Sequence, residues 1–229
     1  MKEKTKTIAV ALDGPSGAGK SSVARAVAAA FHFIYVDTGA IYRTVGLAVH
    51  NRGLSSRDAA GIAALLPSLE IDLRYDPAGN QRMLLNGNDV SEAIRTPEIS
   101  LYASDVSALP AVREFLLNRQ RALAETQNVV MDGRDIGTVV LPEAEVKIFL
   151  TASAQARAQR RWKELEEKGV DTTFDAVLRD IMYRDEQDMT RSAAPLKAAE
   201  DAVQVDTSEL SFDESVAAVS AIIREKTGL

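Results

Sequence analysis

Short apolar runs alternate with amphipathic stretches along this chain, in the order strand and then helix. Residues 7–12 form an almost unbroken apolar run of strand length, the pattern of a strand buried on both faces. Residues 20–31 carry Val23 and Val27 one turn apart among small residues, which predicts a helix. Residues 33–36 make a second short strand ending in Asp37-Thr38-Gly39. A helix is expected from there to about Asn51, where Arg52-Gly53 stops it. Residues 56–66 predict another helix, ended by Pro67.

The texture then changes. Residues 70–75, 82–85 and 89–90 resemble short strands, separated by the turn-forming residues 76–80 and by Asn86-Gly87. Asn-Gly suits the two left-handed positions of a type I′ turn, so a small antiparallel insertion is expected here. Helical patterns resume over 96–124, broken at Pro110. A buried strand at 128–131 ends in Asp132-Gly133-Arg134-Asp135, and another follows at 146–150. A charged helix is predicted over 153–168, and an amphipathic one over 173–189 with Phe174, Val177, Leu178, Ile181 and Met182 on one face. A last strand at 203–205 and a closing helix at 212–226 complete an alternation that predicts a parallel sheet covered on both sides.

Composition narrows the classes. The 229 residues are 46% hydrophobic and 26% charged, ordinary for a soluble globular protein. A net charge of −6 argues against an avid, non-specific nucleic-acid binder, although a local basic cluster is compatible with it. With no cysteine, disulfides, thiolate zinc sites and cysteine nucleophiles are excluded. Charge followed by an apolar run at the N-terminus mimics a signal peptide, but Asp13 and Gly14 interrupt the run too early. No stretch approaches a membrane span, and the chain reads as soluble and intracellular.

The chemistry begins at Gly14-Pro15-Ser16-Gly17-Ala18-Gly19-Lys20-Ser21, which matches G-x-x-x-x-G-K-[ST] and is followed by Ser22. Glycines let backbone N–H groups turn inward around anionic oxygens, and the next helix adds its positive N-terminal end. Lys20 can reach the outer phosphates and the Ser21 hydroxyl can ligate Mg²⁺. The position between a predicted strand and a predicted helix is the context that supports a nucleoside triphosphate site. A GTPase would want a guanine-reading Asn/Thr-Lys-x-Asp tetrapeptide, which is missing, and a motor ATPase needs further modules. A small-molecule kinase needs a second anion site and a movable cover.

Arginines supply candidates for both. Arg43 and Arg134 lie at the outlets of separate strands, where ligands of open parallel sheets bind. Each also fits a surface ion pair. Arg184, Asp188 and Arg191 recur at i, i+4 and i+7, a polar line beside the apolar stripe if the helix reaches that far. Arg157, Arg160, Arg161 and Lys163 crowd one charged helix, a pattern that suits a basic cover over phosphoryl charge. It equally suits an exposed helix balanced by Glu164, Glu166 and Glu167.

Residues 14–22 (GPSGAGKSS), 36–43 (VDTGAIYR), 131–150 (MDGRDIGTVVLPEAEVKIFL), 184–196 (RDEQDMTRSAAPL) and 206–208 (DTS) together resemble the bacterial cytidylate kinases. The resemblance covers essentially the whole chain and is weakest over 69–89. It implies an α/β P-loop NTPase three-layer fold with a parallel sheet, an inserted small antiparallel NMP-binding subdomain and a helical lid. The core would be 1–66, 99–153 and 194–229, the insertion 67–98 and the lid 154–193. It further implies transfer of the γ-phosphoryl group of ATP, with Mg²⁺, to CMP or dCMP by a cytoplasmic monomer that engages neither nucleic-acid polymer nor membrane.

By the same resemblance, Gly14 to Ser22 with Arg157 and Arg161 hold ATP, and Ser21 meets the metal. Lys20, Arg134, Arg160 and Arg191 act on the transferring group, and Arg43, Arg134 and Arg191 hold the acceptor phosphate. Arg184 and Asp188 sit by the ribose, Thr38 lines the acceptor pocket, and Ser104, Arg113 and Asp135 read the base. Cytosine offers an amino donor to a carboxylate such as Asp135, where uracil presents a carbonyl oxygen. An ionised phosphate acceptor needs no general base, so His32 and His50 read as structural or exposed. Asp132 and Asp37 are candidates to orient metal-bound water, and Trp162 reads as lid packing. A kinase of UMP or a small alcohol, and a P-loop regulator without turnover, are the rival readings.

Overall fold

The alternation of apolar and amphipathic stretches becomes eight strands and eight α-helices among residues 7–229, the part described by this computed structural model. In chain order they are β1 (Ala9–Asp13), α1 (Lys20–Phe31), β2 (Ile34–Asp37), α2 (Thr38–Asn51) and α3 (Ala59–Leu65). Next come β3 (Ile71–Tyr75), β4 (Gln81–Leu85), β5 (Asn88–Asp89), α4 (Pro97–Ser107) and α5 (Pro110–Thr126). The chain ends with β6 (Val129–Gly133), β7 (Val146–Thr151), α6 (Ala154–Glu167), α7 (Phe174–Thr190), β8 (Val203–Asp206) and α8 (Phe212–Thr227). One sheet has five strands in the order β2-β6-β1-β7-β8, and β3-β4-β5 form a second. β1 runs parallel to both β6 and β7, and β8 runs parallel to β7.

The chain divides into two compact units. One holds the described residues up to Tyr35 together with Leu123–Leu229, and the other is Val36–Ala122. In the first unit every residue of β1 and β6 is buried, which is why both read as continuous apolar runs. Val10, Leu12, Val130, Ile148 and Leu150 from the strands pack with Val23 and Val27 of α1 and Val219 and Ile223 of α8. Burying each such side chain contributes roughly 1.5–3 kcal/mol against chain entropy. α8 is secured at its start by a reciprocal cap between Ser211 and Glu214.

The paired helices α6 and α7 share a small core of Ala158, Val177 and Ile181, flanked by Trp162, Phe174, Leu165 and Leu178. Trp162 meets Phe174 edge to face at 6.4 Å and donates its indole N–H to the Thr172 carbonyl at 3.3 Å, a packing role. Met182 departs from the expected stripe and is 57% exposed. One residue past Ile181, it is turned about 100° away from the buried face.

In the second unit the hairpin between β4 and β5 turns through Asn86 (φ 50°) and Gly87 (φ 78°), the left-handed pair that a type I′ turn requires. α3 is shorter than its pattern predicts, because the Asp58 carboxylate accepts the Gly61 N–H at 2.9 Å and caps the helix late. The helical pattern breaks at Pro110 as expected, α4 ending at Ser107 and Pro110 starting α5, as suits a residue with no N–H to donate. His50 packs edge-on against Tyr102 and faces Glu98 at 3.3 Å, and His32 is an exposed left-handed cap of α1.

Candidate active site

In the first unit the loop after β1 is built to present backbone N–H groups. Gly14, Gly17 and Gly19 all have positive φ, and α1 begins at Lys20 with no side-chain cap, leaving its first amides directed outward. A Cβ on Gly14 would lie 1.9 Å from the Leu150 carbonyl oxygen, so only glycine fits where the loop leaves the sheet. Lys20 is 5% exposed and donates to the Pro15 carbonyl at 2.7 Å, curled over its own loop. Burial lowers its proton affinity, Arg134 adds to that, and Asp132, Asp188 and Asp13 oppose it. A polyphosphate would supply the missing negative charge.

Ser21, next in sequence, donates its hydroxyl to Asp132 at 2.7 Å, and the other oxygen of Asp132 accepts the Tyr35 hydroxyl at 3.1 Å. A hydroxyl and a carboxylate at a helix start form the hard, oxygen-only set that suits Mg²⁺, the remaining positions falling to water and phosphate. Among the described residues no group of three or more acidic or histidine side chains could enclose a metal alone.

Beyond β6 the charges alternate. Arg134 donates from Nε to Asp188 at 2.8 Å and from Nη1 to the Gly133 carbonyl at 3.1 Å. Asp188 lies 3.7 Å from Arg191 Nη1, and Arg191 Nη2 lies 3.5 Å from Asp135. Arg191 follows the last residue of α7 and donates from Nε to the Ala194 carbonyl at 2.8 Å. Leaving the helix lets it turn toward Asp135. Arg184 takes no part in this chain and pairs one turn back with Asp180 at 3.1 Å.

The three arginines of α6 fan apart. Arg157 is buried and grips Asp185 with both Nη atoms at 2.9 and 2.5 Å, while also donating to the carbonyls of Ser16 and Ala152. Arg160 donates to the Thr207 hydroxyl at 3.2 Å and to the carbonyls of Thr207 and Leu210. Arg161 points outward to Glu164 at 2.8 Å. Of the three, Arg157 touches the phosphate loop.

In the second unit Asp37 caps α2, accepting the Ala40 N–H at 2.8 Å on one oxygen. Its other oxygen accepts from Arg43 at 2.9 Å and Arg95 at 3.2 Å. Burial alone would raise its pKa, but the two guanidiniums and the Ala40 N–H hold it below the usual carboxylate range. Gln81 clasps the Asp37 backbone, accepting its N–H at 2.8 Å and donating to its carbonyl at 3.2 Å. Thr38 is buried at the first position of α2, and the Nε of Arg43 is buried with no hydrogen-bond partner. Ser104 and Arg113 meet at Ser107: its hydroxyl donates to the Ser104 carbonyl at 2.8 Å, and its carbonyl accepts Arg113 Nη1 at 3.1 Å.

A family model described as cytidylate kinase matches residues 10–225. The chain belongs to the cytidylate kinase family. It is 51% identical over 217 residues to the cytidylate kinase of Carboxydothermus hydrogenoformans, covering 95% of this chain and 97% of that one. To the cytidylate kinase of Caldicellulosiruptor bescii it is 49% identical over 209 residues, covering 91% and 92% of the two chains. A crystal structure of an uncharacterised protein from Eubacterium ventriosum shares the fold with a TM-score of 0.51 at 13% identity, over 95% of this chain and 98% of that one.

Within this cytidylate kinase framework the sequence reading missed four groups. Asp13 accepts the N–H groups of Ile136 and Gly137, Asp185 partners Arg157, and Arg95 and Gln81 both hold Asp37. Only Asp13 left a signal, as an ionisable residue at the end of a buried apolar strand. The partnerships of the others depend on contacts between residues distant in sequence.

Proposed function

We propose that the protein transfers the γ-phosphoryl group of ATP to CMP and dCMP, releasing ADP and CDP or dCDP. The observation that carries this reading is the neighbourhood of two anion sites in one unit. The buried Lys20 of the phosphate loop senses the charges of Arg134 and Asp188, members of the alternating chain at the β6 outlet. One site suits a donor triphosphate, the other an anionic acceptor.

The residues divide the work. Loop amides from Gly14 to Ser22 and the Lys20 ammonium neutralise the donor phosphates. Mg²⁺, held through Ser21 and Asp132 and the phosphate oxygens, supplies further charge neutralisation when bound. Arg134 and Arg191 hold the acceptor phosphate, with Asp188 keeping Arg134 oriented by a charged hydrogen bond. Asp135 accepts from the cytosine amine, which selects against uracil. On the second unit Arg43 has a donor to spare for an anion, and Thr38, Ser104 and Arg113 are acceptor-binding groups. Arg184 takes the ribose, and Arg157, Arg160 and Arg161 serve the donor side, which requires Arg157 to exchange its Asp185 partner for phosphate.

An acceptor phosphate already ionised near neutral pH needs no base, so the work is alignment and charge neutralisation. In the same reading residues 154–193 are the lid and 67–98 the acceptor-binding insertion of a cytoplasmic monomer. Among the described residues no helix is long and apolar enough to cross a membrane. A coupled ADP-release assay with CMP, dCMP, UMP, AMP and a small alcohol tests the proposal. Turnover should require an acceptor and be fastest with CMP or dCMP; ADP release indifferent to acceptor would refute it.

A further inference from the structure

We propose that Asp13 is a positioning residue for the acceptor site, fixing the direction of the Arg134-Asp135 segment without touching either nucleotide. The inference rests on the reading that this segment binds the monophosphate. Asp13 is the last residue of β1 and stands in register with Gly133, the last residue of β6. From Gly133 the chain runs through Arg134 and Asp135 and enters a single π-helical turn, Ile136–Val140. Asp13 Oδ1 accepts the Ile136 N–H at 2.8 Å, and Oδ2 accepts the Gly137 N–H at 2.7 Å. The segment is therefore anchored at both ends, by sheet register before it and by one carboxylate after it.

The anchor is itself buried at a crowded point of the sheet. Asp13 is 5% exposed and is followed by Gly14, whose backbone is pressed against the Leu150 carbonyl. Arg134 and Asp135 belong to neither a strand nor the π turn, so the two anchors set the backbone from which their side chains reach Asp188 and Arg191. One carboxylate thus ties the end of β1, just before the phosphate loop, to the two residues that follow Arg134 and Asp135.

The chemistry calls for an aspartate. Two converging N–H donors need two acceptors; a carboxylate provides both, whereas asparagine provides one oxygen and an extra donor. A buried amide left without its partner is destabilised, so the Arg134-Asp135 exit would shift to find another. The charged groups that act on Asp13 are Asp135, Lys20 and Arg134. Burial pushes its pKa up to about 6, against the pull of the two amides.

The test is Asp13→Asn assayed with CMP and UMP. The KM for CMP should rise about tenfold while that for ATP stays within about twofold, and the CMP/UMP ratio of kcat/KM should narrow about tenfold. A purely structural role would lower Tm and leave that ratio unchanged, which overturns the inference, as does a CMP KM like that of wild type. Should the variant fail to fold, Asp13→Glu carries the test, because it keeps the carboxylate but displaces both acceptor oxygens by a methylene. The CMP KM should rise and the CMP/UMP ratio narrow, and wild-type values of both would overturn the inference. A wild type inactive on CMP would instead overturn the functional reading, and the inference with it. An active wild type matched by Asp13→Asn overturns the inference alone.

Discussion

Lys20 carries the largest expected effect at the scale of a single residue. Its ammonium is buried, hydrogen-bonded to its own loop and set near Arg134, and burial lowers its proton affinity, which a bound phosphate would restore. Lys20→Met should lower kcat roughly 10²–10³-fold, the effect of removing one preorganised charge in a water-poor site, read in steady-state kinetics. In the proposed reaction Asp135 would carry specificity, not rate. Asp135→Ala should narrow the CMP/UMP preference by roughly ten- to a hundredfold, because the uracil carbonyl no longer faces a carboxylate. Asp13 carries a pH signature. Its pKa is raised from 3.8 to about 6, so on acidification the folded protein takes up this proton before the unfolded chain does. Its contribution therefore favours the fold at low pH and is lost as pH rises through 6. Urea unfolding of wild type and Asp13→Asn should show their stability difference shifting against wild type by on the order of 3 kcal/mol between about pH 4 and 7.

At the scale of elements, α6 and α7 are joined by an ion pair beside their small apolar core. Arg157 and Asp185 have side chains 5% and 20% exposed and hold two hydrogen bonds between them. Asp185→Ala would strand the guanidinium and should destabilise the protein by about 3–5 kcal/mol, visible as a lower Tm. Arg161→Ala, at an exposed pair, should leave Tm nearly unchanged. Sequence alone ranks these arginines equally, since Arg157, Arg160 and Arg161 share one helical face, and only tertiary partners separate them. The same limit applies to Ile136–Val140. Its β-branched composition carries no helical pattern, yet it forms a π turn whose first two amides are held by Asp13, more than a hundred residues earlier. What the sequence does carry plainly is local. The phosphate loop is written in three glycines within six residues, the Asn86-Gly87 turn in two residues, and the central strands in nearly unbroken apolar runs. The Asp37–Arg95 pair spans 58 positions and left no such trace.

For the whole molecule, the division of labour follows the chain's two units. The one built on the five-stranded sheet carries the phosphate loop, the Ser21–Asp132 pair and the Arg134–Asp188–Arg191–Asp135 chain. The other carries Asp37 with its two arginines, and the Ser104–Ser107–Arg113 group. A Mg²⁺ ion held through the Ser21–Asp132 pair would depend on phosphate and water for its other positions, so it should leave readily. Chelation should abolish turnover reversibly, and Ser21→Ala should raise the Mg²⁺ concentration for half-maximal rate by about tenfold. The central claim is that phosphoryl transfer runs from ATP to the phosphate of a cytidine monophosphate. Its most direct test is to follow label from γ-phosphate-labelled ATP in the presence of CMP, UMP and water together. The account predicts that label accumulates in CDP, with little in UDP or inorganic phosphate. Label appearing chiefly in inorganic phosphate, at a rate unchanged when CMP is withdrawn, would contradict it.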